Sequence, residues 1–193
     1  LTEYGMNNAT EIMLSGGSAG ALTIYIHGNY LSEKILSHTK HLQQPPRVML
    51  MMDGGIFLNV PSVLGEELYP AKFKQIYLLH NLSHSLDHNC LRHYHQTNEG
   101  WKCFYAQYML PFIHKTKEIF IINSLMDKWS GAYIMGITTC QPGKGRKDCN
   151  GKVQQYIDNY RLQLINSPGI QSFLNTSFLK DEGGQGRNYG AWL

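Results

Sequence analysis

The chain has 193 residues, 42% of them hydrophobic, and a formal net charge of +3. That length and apolar share are enough for a packed core and argue against disorder. No block of Lys or Arg makes an electrostatic case for nucleic acid, and no apolar run reaches the length of a membrane span, so neither partner is expected.

Leu1 to Asn8 carries few signals. From Glu11 the chain reads Glu11-Ile12-Met13-Leu14-Ser15, a short apolar run that predicts a buried strand. Gly16-Gly17-Ser18-Ala19-Gly20 follows, a G-x-S-x-G pattern. Apolar residues at Ala21, Leu22, Tyr25 and Ile26 then give helical spacing. Strand, tight Gly-rich turn and helix are the context in which G-x-S-x-G reads as a nucleophile elbow, a bend that lifts the serine oxygen clear of the sheet. Gly16 and Gly20 are expected to be small because strand and helix pass close there. The N–H of Ala19, at the positive end of the helix, is the expected donor to an oxyanion.

The helix is expected to run to about Thr39, ahead of Pro45-Pro46. Arg47 to Met52 predicts a second buried strand, ending at Asp53-Gly54-Gly55. Strand, helix, strand is a crossover unit and implies a parallel sheet. Leu64 to Leu86 is expected to be helical, and Cys103 to His114 a short helix. Glu118 to Asn123 predicts a third buried strand, leading into Ser124-Leu125-Met126-Asp127. In open α/β sheets catalytic side chains sit just past the carboxyl ends of strands, a position that Asp53 and Asp127 both occupy. Val153, Tyr156, Ile157, Tyr160, Leu164 and Ile165 form an apolar stripe at helical spacing, ended by Ser167-Pro168-Gly169. Ile170 to Leu179 reads as a short strand and Asp181 to Gly190 as a loop.

The four cysteines are Cys90, Cys103, Cys140 and Cys149, with no C-x-x-C spacing. Two local disulfides, 90–103 and 140–149, are the simplest reading and imply an oxidising compartment. Three glycosylation sequons, at Asn8, Asn81 and Asn175, agree. His80, His84 and His88 have the spacing to share a helix face, yet no carboxylate or cysteine is placed to complete a metal site, so no metal is expected. His27, on the elbow's own helix, is read as a packing or capping residue.

A serine hydrolase needs a nucleophile, a base beside it and an acid to orient the base. Ser18 and Asp127 supply the first and last in the order expected of an α/β hydrolase, where the histidine comes after the acid. Here the last histidine is His114. Only seventeen residues precede Ser18, too few for the earlier strands and the second oxyanion loop of such a fold, so an N-terminal portion is expected to be missing.

Taken together, these segments resemble the pectin acetylesterase family, which includes the Notum carboxylesterases. The resemblance runs from near Leu1 to about Lys180. Leu14 to Ala21 resembles the family's elbow, where a cysteine usually stands at the place of Gly17. Asp53-Gly54-Gly55-Ile56-Phe57-Leu58-Asn59 resembles its DAGFFLD segment. Cys90 with Cys103-Phe104-Tyr105-Ala106-Gln107-Tyr108 resembles C…CFFPQY. Ile122 to Trp129 resembles NAAYDTWQ, and Cys140 and Cys149 match a further cysteine pair.

The resemblance implies an extracellular enzyme that removes acetyl or longer acyl groups through an acyl-enzyme, without metal or cofactor. It implies Ser18 as nucleophile, Asp127 as acid and Ala19 as an oxyanion donor. Phe173 to Lys180 resembles FINSCFAH, whose last residue is the base; here that slot reads Lys180, and the preceding cysteine reads Ser177. A lysine that keeps its ordinary pKa, about 10.4, cannot take the serine proton.

The expectation is therefore one α/β-hydrolase-like domain over residues 1–193, a mainly parallel sheet flanked by helices, lacking its N-terminal portion. Its function is expected to be that of a secreted or secretory-pathway serine carboxylesterase whose site is impaired or inactive because the base slot reads Lys180. The expected substrate is an acylated polysaccharide, glycoprotein or lipidated protein. The alternative is a pseudoenzyme kept as a binding or structural module with a protein partner.

Overall fold

The structure, a computed structural model, describes residues 4–113, 118–137, 151–177 and 189–192. Four strands, β1 (Glu11–Gly17), β2 (Arg47–Asp53), β3 (Glu118–Ile122) and β4 (Tyr189–Trp192), lie in the order β1-β2-β3-β4. Every pairing is parallel. Helices fill the connections, so the architecture is the α/β one expected from the crossover pattern.

Alternation along the strands decides which face is covered. Val48, Leu50, Met52, Ile119 and Ile121 are buried, and Ile12, Leu14 and Gly16 share their face in the same register. The other face is more open: Met13 is 56% exposed and Phe120 37%. The apolar runs therefore mark strands covered mainly on one side, a departure from the fully buried strands expected.

Helix α1 (Ala19–Thr39) lies on the covered face. It buries Ala21, Leu22, Ile24, Tyr25 and Ile26, residues at helical spacing. At Gly28 an added Cβ would stand 3.0 Å from Leu50 Cδ1, so glycine lets the helix settle onto β2. The Arg47 guanidinium ties the amino ends of three strands together, reaching Glu11 at 2.7 Å and Glu118 at 2.6 Å. These groups are largely exposed, so the triplet adds little stability and instead marks the register.

Three helix expectations need correction. The 64–86 stretch holds only α2 (Leu68–Leu79) and a 3-10 turn, Leu82–His84. Gly65 at φ 81° and Asn81 at φ 47° bend the backbone out of the helix on either side. His80, His84 and His88 consequently lie at the end of α2, in the turn, and at the start of α3 (His88–His95), not on one helix face.

The 103–114 helix is broken into 3-10 turns at Gly100–Phe104 and Leu110–Phe112 around a single turn, α4 (Ala106–Met109). Tyr105 is extended, and Pro111 has no N–H to continue a ladder. After α5 (Lys128–Tyr133) and α6 (Gly151–Asn166), the strand expected from Ile170 is instead α7 (Pro168–Ser177). Proline suits a first helical residue because its missing N–H would be unsatisfied there anyway. Ile170, Phe173 and Leu174 also have helical spacing, which outweighs the β-like composition of a short run. Tyr189 and Gly190, expected in a loop, belong to β4.

The expected stripe on α6 holds: Ile157, Tyr160 and Leu164 are buried. Cys90 and Cys103 are fully buried and joined, pinning α3 to the turn at 100–104. Asp87 accepts from the N–H groups of Asn89 and Cys90, capping α3, and from Asn29 Nδ2 of α1 at 3.0 Å.

The loop leaving β2 is latched from β3. Asn123, 6% exposed, accepts the N–H of Ile56 through Oδ1 at 3.1 Å. Asn123→Ala leaves that buried N–H without its partner. Urea unfolding is expected to show a loss of about 1–3 kcal/mol with an unchanged slope.

Candidate active site

Ser18 stands between the last residue of β1 and the first of α1. Its backbone is at φ 53°, ψ −119°, a region that residues with a side chain rarely adopt. The strain is held in place on both sides. The Ser18 N–H donates to the Asp53 carbonyl at 2.7 Å, and the Ser18 carbonyl accepts from the Leu22 N–H at 3.1 Å. The side chain is exposed and makes no cap hydrogen bond to the helix. The hydroxyl has no partner among the described residues.

The glycines around it differ in what they do. A Cβ at Gly16 would lie 2.4 Å from both C and O of Gly20, so β1 and the first turn of α1 touch backbone to backbone. A Cβ at Gly20 would meet nothing within 4 Å, so the expected crowding falls on Gly16 alone. A Cβ at Gly17 would also meet nothing, and a larger residue fits there. Gly55, passed over in the sequence, is the second tight position: its Cβ would be 2.6 Å from that of Ala21. The adjacent Gly54 is at φ 67° and donates its N–H to the Ile122 carbonyl at 2.7 Å. Ala19 is the first residue of α1, where backbone N–H groups point off the helix end.

Asp127 lies past β3 at the same edge of the sheet. Gly17, Asp53 and Ile122 are register partners across the three strands, which puts Ser18 and the β3 exit level with each other. Two strand spacings separate their axes by about 10 Å. Asp127 is half-buried and caps α5: Oδ1 accepts the Ser130 N–H at 2.8 Å and Oδ2 the Ser130 hydroxyl at 2.6 Å. Tyr160, from α6, lies behind this pair. Burial pushes its phenol well above the ordinary value; contacts from Ser130 and the Leu58 backbone oppose the rise, and the charge of Asp127 adds to it. Ser130 and Tyr160 were not anticipated. The position of Tyr160 on an apolar stripe masked its polar end.

Two segments quoted separately in the sequence meet in space. The Asn59 N–H donates to Gln107 Oε1 at 2.7 Å, and Asn59 Nδ2 donates to the Tyr108 hydroxyl at 3.0 Å. The 53–59 loop is thus held from β3 by Asn123 and from α4 by Gln107 and Tyr108. Asp53 itself closes β2, its carbonyl holding Ser18.

The remaining candidates lie elsewhere. Asn8 and Asn81 are exposed, as a glycan requires. Asn175 falls in α7, its side chain outside the described residues, as are Cys140, Cys149 and Lys180. His27 is half-buried on α1 and lines a cavity of about 480 Å³ with Tyr30, Glu33, His84, Asp87 and His88; neither Ser18 nor Asp127 borders it.

The sequence pattern of the family described as "Pectinacetylesterase" matches residues 1–180. The chain belongs to the pectinacetylesterase family. It is 30% identical to Pectin acetylesterase 5 of Arabidopsis thaliana over 177 residues, covering 92% of this chain and 38% of the relative. It is 33% identical to Pectin acetylesterase 4 of the same plant, covering 88% and 40%. The chain thus spans about two-fifths of the length of these relatives. Among solved structures, the Wnt deacylase Notum from Drosophila shares the fold, with a TM-score of 0.69 at 19% identity, over 99% of this chain and 47% of Notum.

Two outcomes follow from the local packing. Gly16→Ala forces backbone apart at the elbow and is expected to destabilise by about 1–3 kcal/mol. Gly17→Ala, facing open space, is expected to leave the melting temperature within about a degree or two, as surface changes do. Thermal melts of the pair test the asymmetry.

Burial lowers the pKa of His27 from its ordinary 6.5. The unfolded chain then binds that proton at a higher pH than the folded one, so stability is full above 6.5 and falls as pH drops toward the lowered value. Melting temperatures followed from neutral pH to about pH 5 are expected to decline less steeply in His27→Gln.

Proposed function

We propose that this chain carries the nucleophile and acid of a serine carboxylesterase acting on O-acetyl or O-acyl esters, with turnover impaired by Lys180 in the place of the base. One observation carries the reading. Ser18 is held at φ 53°, ψ −119° on a turn between a parallel strand and a helix, with its hydroxyl exposed. Strain of this kind persists only where surrounding structure enforces it, and it aims a side chain off the sheet.

In this reading the Ser18 oxygen attacks the ester carbonyl. The Ala19 N–H stabilises the resulting oxyanion, and the alcohol leaves to give an acyl-enzyme that water hydrolyses. Asp127 orients a base standing between it and Ser18. A lysine beside that carboxylate stays protonated, because an opposite charge favours its charged form. The hydroxyl then keeps its proton, and the rate falls by several orders of magnitude. Membership of the pectinacetylesterase family supports an acetylated polysaccharide as substrate, and the Notum fold allows a lipidated protein. The Cys90–Cys103 disulfide and the exposed sequons support a secreted or luminal setting.

A second reading has its own observation. Both carboxylate oxygens of Asp127 are engaged by Ser130 as a helix cap, which is a sufficient structural reason for an aspartate there. This favours a pseudoenzyme that keeps the fold for binding.

The two part under an activated fluorophosphonate probe. Covalent labelling mapped to Ser18, slow in the native chain, faster in Lys180→His and lost in Ser18→Ala, is expected for the impaired esterase. Lys180→His is then expected to speed p-nitrophenyl acetate hydrolysis by about 10²-fold, the lower range of general-base contributions. No labelling of either the native chain or Lys180→His assigns the pseudoenzyme.

A further inference from the structure

Asp127 is held by two different donors of one residue. The Ser130 N–H donates to Oδ1 at 2.8 Å, and the Ser130 hydroxyl donates to Oδ2 at 2.6 Å. Capping α5 needs only the first, because any residue but proline supplies a backbone N–H there. The hydroxyl bond is additional, and the residue that makes it is 2% exposed. A buried hydroxyl costs stability unless it is bonded, so its partners account for its presence.

A hydroxyl has one proton to give, and an ionised carboxylate can only accept. The Ser130 proton therefore lies on Asp127, which leaves the Ser130 oxygen to accept from elsewhere. The Tyr160 phenol, on α6 and 3% exposed, reaches the Ser130 side chain. Burial, and after it the charge of Asp127, keeps that phenol protonated. The donors then run one way, from Tyr160 to Ser130 to Asp127, and each strengthens the next.

A single hydrogen bond leaves a carboxylate free to turn about its Cβ–Cγ bond. A bond to each oxygen fixes its plane. Ser130 takes one lone-pair site on each oxygen, and the remaining sites stay open to another donor. A helix cap gains little from a fixed plane, whereas an acid that must meet a base at a set angle depends on it.

We propose that Ser130 is a positioning residue for Asp127: its hydroxyl, backed by Tyr160, locks the plane of the carboxylate so that the unused lone pairs meet the base. This rests on the esterase reading and deepens it. It gives a reason for a buried serine three residues after the acid that helix capping alone does not.

The test uses the Lys180→His chain, which places an imidazole in the base slot, with fluorophosphonate labelling of Ser18 and p-nitrophenyl acetate hydrolysis as readouts. Ser130→Ala keeps the backbone cap and deletes the hydroxyl. It is expected to slow labelling and lower kcat about tenfold or more, with KM unchanged. Tyr160→Phe is expected to do the same to a smaller degree. The double variant is expected to be no slower than Ser130→Ala, because the two hydroxyls act as one unit. Tyr156→Phe is the control: its hydroxyl is also on α6 but donates to the Pro61 carbonyl, so its loss is expected to leave labelling unchanged. Melting temperatures follow folding apart from reaction, and the losses in Ser130→Ala and Tyr160→Phe are expected to be less than additive in the double variant.

Equal slowing in Tyr156→Phe overturns the positioning role, because it marks a general packing defect. Additive melting losses overturn the link to Tyr160. Labelling that is lost in Ser18→Ala but keeps its rate in Ser130→Ala sinks only the positioning role. Absence of labelling in Lys180→His sinks the esterase reading, and the positioning role with it.

Discussion

The backbone contact between β1 and the first turn of α1 is the constraint from which the site is built. Gly16 has no room for a Cβ because Gly20 lies against it. The chain must turn from strand to helix within one residue, and that residue is Ser18. The positive φ of Ser18 follows from this crowding, not from any preference of serine. The turn is then clamped from β2, whose last carbonyl receives the Ser18 N–H and whose Gly55 presses against Ala21. Removing the close approach would relax the serine and withdraw its hydroxyl in the same step. Structure and candidate chemistry are therefore one feature at this position.

The edge of the sheet is organised as successive latches rather than as a single pocket. Ser18 is bound to the end of β2, Gly54 to the end of β3, and Ile56 to Asn123 one residue beyond β3. Each bond extends the parallel ladder past the strands that define it. The loop from Asp53 to Asn59 is consequently held at both ends, by β3 and by α4. The Asp127 cap of α5 continues the series, and Tyr160 from α6 backs it. The Ile56–Asn123 bond is buried and the Asp127–Ser130 bonds half-buried, so there a missing partner would leave a polar group with little water to replace it.

The strand–elbow–helix unit was legible because three local signals agree there: an apolar run, a Gly-rich turn and helical spacing. β2, β3 and α6 were legible for the same reason. The expectations that failed did so where a local signal was overruled from outside. The 64–86 helix was cut by Gly65 and Asn81, whose backbone conformations no periodicity encodes. The 103–114 helix was cut at Tyr105 and Pro111. Ile170 onward read as strand by composition, yet Pro168 opens a helix there. Gly20 was given a role by symmetry with Gly16 that its surroundings do not require. Contacts between distant segments, such as Asn59 with Gln107 and Tyr108, were invisible in one dimension. The resemblance had placed both segments in one family pattern without saying that they touch.

The elbow and the aromatic pair of α5, Trp129 and Tyr133, rest on separate contacts at this end of the sheet. The reactive geometry depends on Gly16, Gly55 and the β2 carbonyl, all on the elbow side. The aromatic pair depends on Phe57 and Tyr69, which anchor Trp129 from the core. Among the described residues no hydrogen bond of the elbow involves those rings. A change at the Ser18 hydroxyl leaves the ring surface intact. A change in the rings leaves the strain at Ser18 intact. The strained turn and the ring surface are therefore independent features of the fold, because the two rest on different contacts.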